Sequence, residues 1–99
     1  MARLGDIVLK VRSKNAGPFW LTIDIFCGTP EVFAIVASSL TTERAAAAFQ
    51  ADPAHLKRFE IADLNVVKIS LPRPQVQGTG ADRDMHGASF ANLLAELEL

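Results

Sequence analysis

The densest run of chemically capable side chains is Gly78-Thr79-Gly80-Ala81-Asp82-Arg83-Asp84-Met85-His86-Gly87. Asp82, Arg83, Asp84 and His86 place two carboxylates, a guanidinium and an imidazole close together. Such a set could transfer protons or hold a polar ligand. Asp82, Asp84 and His86 could in principle ligate a divalent ion. Their spacing matches no established site, however, and Arg83 opposes a cation, so no metal is expected. A long loop is often functional. Two readings stay open: Asp84 caps the following helix, or Asp82, Arg83, Asp84 and His86 contact a small ligand or partner.

A second candidate is Ser13-Lys14-Asn15-Ala16-Gly17. Small residues could bring backbone N–H groups near an anion, with Lys14 and Asn15 adding a charge and an amide. The run lacks the P-loop pattern and joins strand to strand, so it reads equally as a polar hairpin turn. A third candidate is a sheet face that mixes Lys10 and Arg12 with Trp20 and Phe26. Lys68, Thr22 and Asp24 could share it, as could the apolar Val8 and Val66. Solvated sheet faces are common, but aromatics beside cations also suit a protein interface. Nucleophilic catalysis has little support. Cys27 ends a core-facing set and reads as a small buried hydrophobe. Ser13 and Ser70 have no local histidine, and His55, beside Asp52-Pro53, is expected to be exposed. No catalytic residue and no cofactor is assigned.

These groups need a scaffold. Residues 6–12 alternate as a strand, with Ile7, Leu9 and Val11 opposite Val8, Lys10 and Arg12. Residues 13–18 follow as a turn. Residues 19–27 form a second strand, with Phe19, Leu21, Ile23, Ile25 and Cys27 on one face. Their short connection implies an antiparallel hairpin. Thr29-Pro30 opens a helix, with Thr29 as cap and Pro30 at its first position. Phe33, Val36, Ala37 and Leu40 mark its apolar stripe. Thr41 or Thr42 caps a second helix through the alanine run to Phe49. Asp52-Pro53 starts a short helical turn. Residues 59–61 form a brief strand and residues 65–71 a clearer one, with Val67, Ile69 and Leu71 on one face. Pro72-Arg73-Pro74 ends it. A helix is expected over residues 86–94, and residues 95–99 are expected to continue it in preference to forming a strand. The mixed order suggests an α+β fold with helices on one face of an antiparallel sheet.

The chain has 99 residues, one domain's worth, and nearly half are apolar. Ten basic residues balance eleven acidic ones, so no nucleic acid partner is expected. No apolar stretch spans a bilayer, and residues 1–6 lack the apolar core of a signal peptide. A lone cysteine fits a reducing compartment. A cytoplasmic protein without membrane contact is therefore expected.

Four stretches resemble a small bacterial domain-of-unknown-function family: Leu4-Gly5-Asp6-Ile7; Arg12-Ser13-Lys14-Asn15-Ala16-Gly17-Pro18-Phe19 with Leu21-Thr22-Ile23-Asp24-Ile25; Leu71-Pro72-Arg73-Pro74; and Gly80-Ala81-Asp82-Arg83-Asp84-Met85-His86-Gly87-Ala88. Members of that family typically accompany a larger protein of the acyclic terpene utilisation protein A (AtuA) type. A weaker likeness, through Ser13 and Gly17, links the first loop to the C-terminal domain of those larger proteins. The resemblance implies a ferredoxin-like two-layer sandwich and a role beside a larger subunit. The expectation is an accessory subunit in the catabolism of small organic acids or acyl compounds, with lyase or hydratase chemistry as a guess. The alternative is a homo-oligomeric module that binds a small anion. A self-contained enzyme is disfavoured, because so small a domain has little room for an enclosed pocket.

Overall fold

A computed structural model describes residues 3–16, 19–49, 51–72 and 94–98 of the chain. The first element is a short helix, α1 (Leu4–Ile7), followed by strands β1 (Lys10–Asn15) and β2 (Trp20–Phe26). Helices α2 (Pro30–Ser39) and α3 (Thr42–Ala48) come next, then a 3-10 turn at Pro53–His55. Strand β3 (Lys57–Ile61) and strand β4 (Val66–Pro72) close the described order, joined by a 3-10 turn at Ala62–Leu64. The sheet is antiparallel throughout, in the order β1-β2-β4-β3.

Two layers result, because each element has one apolar side to bury. Leu21, Ile23 and Ile25 of β2 and Val67, Ile69 and Leu71 of β4 form the floor of the core. Val36 and Leu40 from α2, Ala45 and Ala46 from α3, and Leu4, Val8 and Leu94 pack on that floor. The α+β sandwich with helices on one sheet face is therefore the observed architecture. Its strands are connected as two hairpins flanking a helix pair, β-β-α-α-β-β, which differs from the β-α-β-β-α-β order of ferredoxin-like folds.

The helix starts follow the local chemistry. Thr29 accepts a hydrogen bond from the Val32 N–H, Thr41 from the Arg44 N–H, and Asp52 from the Ala54 N–H. Gly28, at φ 89°, turns the chain from β2 into α2. Asn65 takes the left-handed conformation ahead of β4, a state its short side chain tolerates, so it belongs to the turn and not to the strand.

Three sequence expectations change. Residues 6–12 are not one strand: residues 4–7 are helical and pairing begins at Lys10. Val8 therefore joins the core at 8% exposure and does not share a face with Lys10. Tertiary packing of Leu4 and Val8 outweighs the apparent period-two pattern. The turn after β1 is shorter than expected, since Ser13, Lys14 and Asn15 are strand residues paired with Ile23, Thr22 and Leu21. The tail does not continue as helix to its end. Glu98 bridges Arg3 in antiparallel fashion, and the Leu4 N–H donates to the Leu97 carbonyl at 2.8 Å. Backbone pairing with residues 3 and 4 decides a segment whose own pattern is ambiguous. Gly5 lets this happen, because a Cβ there would lie 3.0 Å from the Ala95 Cβ. The helix expected over residues 86–94 lies outside the described residues except at its last position.

Candidate functional site

Alternation along paired strands sorts side chains into rows on the sheet face opposite the core. Lys10, Phe26, Val66 and Ile61 form one row across the four strands. Arg12, Asp24, Lys68 and Phe59 form the next, and Lys14, Thr22, Ser70 and Lys57 the third. Trp20 and Pro72 lie beyond. The described helices contribute their buried residues to the other face.

The face is basic. Lys10, Arg12, Lys14, Lys57 and Lys68 stand against the carboxylate of Asp24, in a chain whose net charge is -1. It is also aromatic. Trp20 is 37% exposed and Phe59 49%, while Phe26 is half-buried. Two of the cations lie over two of the rings. Lys10 Nζ is 5.0 Å from the Phe26 centroid, and Lys57 Nζ is 5.1 Å from that of Trp20. These contacts hold the amines above the sheet by attraction to the ring faces.

At the β1–β2 end, Arg12, Ser13, Lys14, Asp24 and Phe26 line a cleft of about 170 Å³. Arg12 and Asp24 are directly opposed across the strands, yet neither makes an ion pair among the described residues. The ion pair among the described residues, Arg58 to Glu60 at 2.9 Å, lies on β3 at the other edge of the sheet. Asp24 is likewise opposed by Lys68 on its other side.

Lys10, Arg12, Trp20 and Phe26, the expected interface residues, thus share one face, and Lys68, Thr22, Asp24 and Val66 share it with them. Lys14 joins this face as a strand residue. Asn15 does not, because its neighbouring strand position points to the core side, opposite Leu21. Asp82, Arg83, Asp84 and His86 lie outside the described residues. Sequence reasoning missed Lys57, Phe59 and Ile61, which the alternation of Lys57-Arg58-Phe59-Glu60-Ile61 would have placed on the face once the strand was extended to Lys57.

The remaining reactive groups serve structure. Cys27 is 3% exposed, and burial pushes its thiol pKa up, away from the ionised, nucleophilic form. Arg58 sits on the core-side row, where it donates to the Ala37 carbonyl at 2.9 Å and to the Leu40 carbonyl. Arg44 donates to the Ser39 carbonyl at 3.0 Å and to the Glu98 carbonyl. Together these arginines satisfy the C-terminal carbonyls of α2. His55 is exposed. Among the described residues no group of three or more His, Cys, Asp or Glu side chains could hold a metal ion, and no helix is long and apolar enough to cross a membrane.

A family model described as Domain of unknown function (DUF4387) matches residues 4–98. No curated protein and no solved structure matches the chain.

Proposed function

The chain belongs to the DUF4387 family of domains of unknown function, and from that premise we propose that it is an accessory subunit that docks through its basic, aromatic sheet face onto a larger partner. One observation carries the reading. Trp20, Phe26 and Phe59 sit among Lys10, Arg12, Lys14, Lys57 and Lys68 on the face opposite the core. Aromatic and cationic side chains of this kind anchor protein interfaces. The charge selects an acidic partner surface. It also disfavours face-to-face pairing of two copies, which would bring like charges together.

The sequence resemblance names the partner's type, a larger AtuA-like protein. A cytoplasmic setting and a place in the catabolism of small organic acids or acyl compounds, with lyase or hydratase chemistry, go with that partner. A nucleic acid is a poorer fit. Lys10 and Lys57 already cover ring faces on which bases would stack.

The test is co-expression of the chain with an AtuA-type protein, followed by size-exclusion chromatography with light scattering. A stable complex is expected. Lys57→Glu and Phe59→Ala should each weaken it at least about tenfold, the cost of an interface hot spot or an opposed charge. A chain that never retains the larger protein overturns the reading, as does a complex indifferent to both substitutions.

A further inference from the structure

We infer that the cleft on the outer face of β1 and β2 binds a small hydroxycarboxylate on this chain alone. The proposal extends the docking reading without resting on it.

The lining groups define the ligand. Arg12 and Lys14 supply two cations at one end of the sheet. A guanidinium binds a carboxylate through paired N–H donors, and an ammonium beside it adds a point charge. Asp24 lines the same cleft and, when ionised, can only accept hydrogen bonds. It faces Arg12 across the strand pair without an ion pair to it. Among the described residues neither group has an ion-pair partner, so both can turn to a third party. Phe26 gives the cleft an apolar wall against which a carbon skeleton can pack. The volume of about 170 Å³ is several times the roughly 30 Å³ that a water molecule occupies in the liquid. That room suits a small organic acid and not an extended chain.

Asp24 decides between anions. Inorganic phosphate near neutral pH keeps an O–H for Asp24, but it sets its own negative charge directly against that carboxylate and has no carbon skeleton to pack on Phe26. A hydroxycarboxylate meets Arg12 and Lys14 with its carboxylate and offers Asp24 a hydroxyl proton. A plain dicarboxylate satisfies the cations equally well but offers Asp24 no hydroxyl proton, so the carboxylate of Asp24 stays without a donor. The expected order is therefore hydroxy acid above plain acid above phosphate.

Isothermal titration of the purified chain with malate, succinate and inorganic phosphate tests this, with thermal melts confirming that each variant is folded. Malate should bind most tightly. Arg12→Ala should weaken malate at least about tenfold, as expected for loss of a charge-assisted contact. Arg12→Lys should recover part of that loss. Asp24→Ala should leave succinate as tight or tighter and erase the preference for malate. The inference is overturned if the chain binds neither acid at millimolar concentration, if phosphate binds as tightly as malate, or if the malate preference survives Asp24→Ala. Arg12 and Asp24 lie away from the β3 substitutions used for docking, and the titration needs no partner, so the two readings fail separately.

Discussion

Cys27 shows how position overrides intrinsic reactivity. It follows the end of β2, where its backbone N–H donates to the Asn65 carbonyl at 2.8 Å and its thiol to the Ile25 carbonyl at 3.8 Å. Burial raises its pKa, so the folded state holds its proton to a higher pH than the unfolded chain does. The unfolded thiol ionises near pH about 8.5, and above that value the unfolded state binds fewer protons, so stability falls as pH rises. Cys27→Ala should cost roughly 1 kcal/mol at neutral pH. The gap between wild type and variant should narrow in alkaline urea denaturation curves. Thiol reagents at neutral pH should label the native protein only as fast as it opens. Arg58 is the second telling residue. Its side chain is 15% exposed and it serves the carbonyls of Ala37 and Leu40. Removing it strands polar groups at the end of α2, so Arg58→Ala should destabilise by about 1–3 kcal/mol. Arg58→Lys should restore only part, because an ammonium lacks the planar fork that reaches two carbonyls. Urea titration of the three proteins checks both.

At the scale of elements, the turns hold the sheet and helices in register. The turn between β2 and α2 depends on Gly28, whose φ of 89° other residues rarely adopt. Gly28→Ala should lower stability by roughly 1–2 kcal/mol, measurable as a lower melting temperature. Gly28→Asn should be better tolerated than Gly28→Ala, since asparagine accepts positive φ more readily. The strand pair β1–β2 carries the cleft, and its register places Arg12 opposite Asp24 and Lys14 opposite Thr22. A slip of one residue would send Lys14 to the core side and Asn15 to the cleft. Val11, which packs against the core, opposes such a slip, because it would turn Val11 outward and carry Lys10, Arg12 and Lys14 to the apolar side.

For the whole molecule, charge is divided between faces. The chain is close to neutral, but among the described residues Lys10, Arg12, Lys14, Lys57 and Lys68 gather opposite the helices, on the rows led by Lys10, Arg12 and Lys14. A complex made through that face should weaken as sodium chloride rises from about 50 to about 500 mM, because salt shortens the reach of exposed charges. The fold itself rests on the apolar core and should change little over the same range. Comparing the complex's dissociation constant with the chain's melting temperature across that series separates the two. A second copy seated face to face would meet the opposite electrostatics, with salt promoting association.

The α+β class, both long helices with their caps, the β1–β2 hairpin, the buried Cys27 and the shared face of Lys10, Arg12, Trp20 and Phe26 were all legible in the sequence. Each depends on local rules: a cap is made within a few residues, and alternation along a strand needs no distant partner. What the tertiary structure decided depends on distant contacts. Residues 4–7 became helix and Val8 became core because the sheet and helix layers offered them an apolar pocket. Residues 97–98 left the helix because residues 3 and 4 supplied backbone partners. Lys14 moved from a turn onto the sheet face, apart from Asn15, because pairing with β2 extended the strand. The five cations and three aromatics came together from β1, β2, β3 and β4, strands whose order no local pattern contains. Strand order is set by how the whole core closes, and only that closure turns scattered lysines and aromatics into one surface.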